Sequence, residues 1–168
     1  MSRVKRLLVP TDFSATSEIA FNYALDMAAR DGASIHLLHV IEDASFAAAY
    51  PDGLYVELPG LRDQLIGEAQ KRLDAVAAAC AAAKVEAATQ VIVGRPSDAI
   101  TAEANTRGTD LIVMGTHGRG GFAHLMLGSV AERVLRTAQC PVLIVRDTSR
   151  AADIIAADAV SRRQAVAV

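Results

Sequence analysis

Along this chain, short runs of branched apolar residues alternate with longer stretches in which apolar positions recur every three or four residues. The first run, Val4 to Pro10 (VKRLLVP), is closed by proline and predicts a buried strand. Ser17 to Gly32 follows, with Ile19, Ala20, Tyr23, Ala24, Met27 and Ala28 at helical spacing and a glycine where a helix would stop. Ala33 to Val40 (ASIHLLHV) predicts the next strand. Residues 41 to about 60 mix prolines, glycines and scattered aromatics and predict a long surface loop. Beyond it come a long helix from Leu61 to Ala83, a strand from Val85 to Gly94, and a helix over 95–108 with Pro96 near its first position. Asp110 to Gly115 is a fourth strand, apolar on both faces. Ser129 to Ala138 is helical, and Pro141 to Val145 is the last strand.

Strands that are continuously apolar and alternate with helices imply an α/β fold, a parallel sheet covered on both faces with right-handed crossovers. In such doubly wound sheets, ligands sit outside the carboxyl ends of the strands, where strand order reverses. Each loop that follows a strand is therefore a candidate wall of one site. Residues 147–168 mix alanine with both charges and lack a wide apolar stripe, so a flexible tail or a short peripheral helix is expected there.

Composition narrows the picture. The 168 residues suit one domain with a substantial core; 52% are apolar but only 4% aromatic, which favours alanine- and valine-rich α/β packing over a β-sandwich. A net charge of −2 offers no global field for nucleic acid, and no run of about twenty apolar residues suggests a membrane span. The basic-then-apolar start resembles a signal peptide, but its apolar part ends at Pro10 and Asp12 with no small-residue cleavage site, so a first strand is the better reading. Cys80 and Cys140 do not make a disulfide framework, and a cytoplasmic location is expected.

The richest local signal is GTHGRGGFAHLMLGSV, Gly115 to Val130, with five glycines in its first fourteen residues. Glycine lets a ligand approach the main chain with no Cβ in the way. Ser129 suits a helix N-cap with Glu132 completing a capping box, and a helix N-terminus offers N–H donors and a positive dipole end to an anion. A phosphate chain between Gly118 and Gly128–Ser129 would meet donors from both sides. An ordinary surface loop before a capped helix has a similar composition; position at the carboxyl end of a strand favours phosphate. Arg119 could pair with phosphate oxygens or be a solvated loop residue, and His117 stands between the same alternatives. Asp12 could cap the first helix or accept from a ribose hydroxyl or adenine amine.

The spacing G-x2-G-x9-G-[S/T], here Gly115, Gly118, Gly128 and Ser129, resembles the nucleotide motif of the ATP-binding branch of the universal stress protein family. The opening LLVPTDFSATSEIAFNYALDMA and the closing CPVLIVR are similar to that family's first strand and helix and its last strand. The likeness spans residues 3 to about 146. It implies a nucleotide-binding domain over 1–146 and a five-stranded parallel sheet in the order 3-2-1-4-5. It also implies contacts to ATP with Mg²⁺. Pro10, Thr11 and Asp12 would lie at the adenine and ribose end, Val40 at adenine, Met114 and Gly115 beside ribose, and Gly118, Gly128, Ser129 and Val130 around the phosphates. It further implies a homodimer joined through Pro141–Val145, whose apolar edge pairing would protect.

Other signatures fail. GRGGFA matches a dinucleotide fingerprint but follows the fourth strand, and position 138, where an acid would be needed, is alanine. No G-K-[S/T] occurs. His36 and His39, three apart on a strand, point to opposite faces, so no metal site is expected. No general base, catalytic lysine or serine–histidine–acid arrangement stands out. The expected function is stress response through nucleotide binding and dimerisation, without nucleic-acid or membrane partners. A slow ATP hydrolase, or an adenine-nucleotide enzyme of the same architecture, is the alternative.

Overall fold

Each apolar run becomes a strand and each amphipathic stretch a helix in the computed structural model, which describes residues 3–42, 47–49, 55–57, 60–116 and 127–146. The order is β1 (Arg6–Pro10), α1 (Ala15–Asp31), β2 (Ser34–Ile41), β3 (Ala47–Ala49), β4 (Tyr55–Glu57), α2 (Leu61–Ala82), β5 (Ala87–Val93), α3 (Pro96–Thr106), β6 (Leu111–Gly115), α4 (Ser129–Thr137) and β7 (Val142–Val145). Five strands form one parallel sheet in the order β5-β2-β1-β6-β7. Counted along the chain without the short β3 and β4, that is the expected 3-2-1-4-5.

Alternation along the strands divides the core. Leu7, Val9, Ile35, Leu37 and Val113 pack under α1 and α2, whereas Leu8, Leu38, Ile112 and Met114 pack under α3 and α4. The inner stripe of α1 is Ser17, Ala20, Phe21, Ala24 and Ala28, while Tyr23, at a helical spacing that suggested burial, is half exposed. Cys80 is fully buried in the first cluster, where desolvation pushes its thiol pKa up. Asp110 fixes the start of β6 against β1: its Oδ2 accepts from the Lys5 and Arg6 N–H groups at 2.9 Å each. Those two bonds, the Lys5 amide first, hold its carboxyl below the usual range.

The expected loop after β2 contains a departure. Three-residue β3 and β4 pair antiparallel, Ala47 opposite Glu57 and Ala49 opposite Tyr55. Strands so short, one of them all alanine, carry no apolar alternation by which to be recognised. Residues 147–168 lie outside the described residues.

His36 faces α3, buried, with Nε2 3.3 Å from Glu103 Oε1 but neither ring nitrogen in a well-formed hydrogen bond. Glu103 is paired with Arg107, which also bonds Gln90 of β5 at 2.8 Å. Burial, helped by the Arg107 charge and opposed by Glu103, lowers the His36 pKa. The neutral ring is favoured only in the folded state, so its contribution is present above about pH 6.5 and is lost as pH falls. Thermal melts in steps from pH 7.5 to 5.5 should show a shallower acid loss for His36→Leu than for wild type; parallel curves would contradict this.

Candidate functional site

In this strand order, β2 and β6 lie on either side of β1, so the connections leave β1 in opposite directions and a crevice opens at its carboxyl end. A cleft of about 810 Å³ occupies that place. Pro10, Thr11 and Asp12 line it from the end of β1, Val40 from β2, Met114 and Gly115 from β6, and Gly128, Ser129 and Val130 from the start of α4. His117, Gly118 and Arg119 lie outside the described residues.

The wall after β1 is a bonded turn. Thr11 N–H donates to the Leu38 carbonyl at 2.8 Å, and Phe13 N–H donates to Thr11 Oγ1 at 3.0 Å. Asp12 Oδ1 accepts from Ser14 N–H at 3.1 Å and from Ser14 Oγ at 2.6 Å. Asp12 is therefore not the cap of α1: Ser14 is, accepting from Ser17 N–H. This leaves Asp12 beside the cleft rather than inside the helix terminus.

β2 runs past the end of β1. Pro10 is the last β1 residue in register, opposite Leu38, whose carbonyl points toward the β1 lane. Main-chain groups two residues apart on a strand face the same side, so the N–H and C=O of Val40 look across the space where β1 has stopped. A flat, polar-edged ring could take both.

The opposite wall begins α4, and here the sequence reading needs correction. Gly128, not Ser129, is the N-cap; Ser129 is the first helical residue, and no side chain caps the turn. Glu132 is engaged with Arg136 instead of reaching back, so the capping box does not form. Nor is Gly128 a spare donor, because its N–H bonds the Thr116 carbonyl at 2.8 Å. The donors a first turn leaves without intrahelical partners are the N–H groups of Ser129, Val130 and Ala131, all on the cleft.

Several lining residues carried no sequence signal. Phe13, His39, Glu68 and Arg72 border the cleft on the α2 side, and Pro96 and Ile100 of α3 border it on the other. His39 donates through Nδ1–H to the Thr11 carbonyl, 2.7 Å away. Only the sheet order reveals that α2 reaches this site. The cleft is thus electrically polarised. Asp12, Glu42 and Glu68 line the β1–β2–α2 end, with Arg72 among them, and helix N–H donors line the other end. A fitting ligand carries amine and hydroxyl donors at one end and anionic oxygens at the other.

Residues 3–146 match the universal stress protein family. Universal stress protein MJ0531 of Methanocaldococcus jannaschii is 34% identical over 142 residues, covering 84% of this chain and 82% of that one. The solved structure of MJ0577, a universal stress protein of the same organism, superposes with a TM-score of 0.75 at 27% identity, covering 87% of this chain and 98% of that one. A universal stress protein solved in complex with cAMP superposes with a TM-score of 0.57 at 27% identity, over 86% and 98% of the two chains.

Proposed function

The chain belongs to the universal stress protein family, and from that premise we propose that it binds ATP in this cleft and acts in stress response through binding rather than rapid turnover. What supports this most is the convergence of Asp12, Val40 and the first turn of α4, distant in sequence, on one polarised cleft. In this reading the Val40 main chain meets adenine, and Asp12 accepts from the base amine or a ribose hydroxyl. The amides of Ser129, Val130 and Ala131 hold phosphate oxygens at the positive end of α4. Mg²⁺ would be held through phosphate oxygens, as this ion commonly is, because the described residues include no group of three His, Cys, Asp or Glu able to hold a metal. Gly118 and Arg119 would close the cradle from the loop.

β7 ends the sheet, its four residues Val142 to Val145 half-buried. Pairing with a second copy along Pro141–Val145 would cover this edge, and a homodimer is part of the proposal. Domain 1–146 would then be both the binding and the pairing unit.

Calorimetric titration tests the nucleotide. MgATP should bind saturably, and cAMP, lacking the β- and γ-phosphates, should bind at least about tenfold more weakly, since charge-assisted bonds contribute about 1.5–3 kcal/mol each. No saturable binding, or equal affinity for the two, would contradict the phosphate role of α4. Sedimentation of the same sample should give a dimer of the 17.7-kDa chain; a monomer would contradict the edge pairing.

A further inference from the structure

Resting on the nucleotide reading of the cleft, we propose that Arg72 of α2 is a positioning residue that, by stacking on Phe13, holds the Asp12 turn in its ligand-ready shape. Phe13 sits at φ 61°, the left-handed region that a bulky L-residue rarely adopts; among the described residues only Lys84 shares this among non-glycines. Such a conformation persists only when its surroundings overdetermine it.

Here the surroundings grip the ring. The Arg72 guanidinium carbon lies 4.0 Å from the Phe13 ring centroid, and the His39 ring centroid lies 4.5 Å away, tilted by 38°. His39 is itself fixed to the Thr11 carbonyl, one residue before Asp12. The backbone on either side of Phe13 is pinned to its neighbours, by Phe13 N–H on Thr11 Oγ1 and by Ser14 N–H on Asp12 Oδ1. A swing of Phe13 into the ordinary extended region would carry the ring off Arg72 and His39 and break the bonds that orient Asp12. Arg72 therefore penalises the relaxed turn from a helix otherwise remote in sequence. It is exposed, whereas Ala69, Leu73 and Cys80 supply the buried face of α2, so its replacement leaves the core intact.

The test uses the full chain. Arg72→Ala should weaken MgATP binding about two- to fivefold, the range of an exposed cation–π contact, and Arg72→Lys should restore most of it. Phe13→Gly removes both the ring and the steric cost of positive φ. In that background Arg72→Ala should change affinity by less than about twofold. An equal loss in both backgrounds would mean that Arg72 acts on the ligand directly and would overturn the proposal. Without nucleotide, hydrogen exchange at the Phe13 and Ser14 amides should speed up in Arg72→Ala; unchanged exchange would overturn it too. Were wild type to bind no nucleotide at all, the functional reading would fall while exchange still decided whether Arg72 holds the turn.

Discussion

Ser129→Asp should lower MgATP affinity by at least tenfold while leaving the melting temperature unchanged or slightly raised. Ser129 is the first residue of α4, and its side chain caps nothing. A carboxylate there favours the helix dipole, by about 0.3–1 kcal/mol at an exposed first turn. The same carboxylate meets the phosphates that the first-turn amides are proposed to hold. At roughly 5 Å and an effective dielectric near 20, one negative charge against another costs about 3 kcal/mol, and even half of that, after screening by salt, is a tenfold loss. Stability and affinity thus move in opposite directions, which general unfolding would not produce. Calorimetry at low and moderate salt, beside thermal melts, checks it. Undiminished affinity would place the phosphates elsewhere.

Gly115→Ala should destabilise the fold by about 1–3 kcal/mol, the usual cost of forcing an atom into a packed core. A Cβ at Gly115 would lie 2.9 Å from the Thr16 carbonyl oxygen and 3.0 Å from its carbon. These are backbone atoms in the first turn of α1, held by the Ser14 cap, so they cannot yield without moving the helix. Gly115 is therefore needed first for the approach of α1 to β6, whatever it also does beside a ribose. Gly128, at φ −62° and ψ 148°, has a backbone any residue adopts. Gly128→Ala should accordingly leave the denaturant midpoint near that of wild type, and equal losses in the two variants would contradict this division of roles.

That contrast also shows how far the sequence could be read. The sheet and its order were legible because LLVP and LIVMG are apolar throughout and SIHLLHV is mainly so, as strands buried on both faces are, and because the motif spacing brings a family with it. The segments that meet at the cleft were legible for the same reason, since a parallel sheet gathers its strand ends at one edge. Local chemistry was less legible. Ser129 and Glu132 have capping-box spacing, yet Gly128 takes the cap and Glu132 turns to Arg136, an equally available partner one turn on. A donor three residues before Glu132 and another four residues after it compete for one carboxylate, and spacing alone does not choose between them. The role of α2 was not legible at all: Arg72 meets Phe13 only because β2 and β1 are neighbours and α2 packs over β5 and β2. Nothing within either segment marks a positive φ at a phenylalanine.

The central claim is that the unpartnered amides at the start of α4 hold the phosphates of a nucleotide. Following backbone amide resonances during titration with MgATP tests it most directly. The Ser129, Val130 and Ala131 amides should move far more with ATP than with adenosine, saturating together with those near Asp12 and Val40. Binding that leaves these three amides where they were, or moves them equally with adenosine, would contradict it.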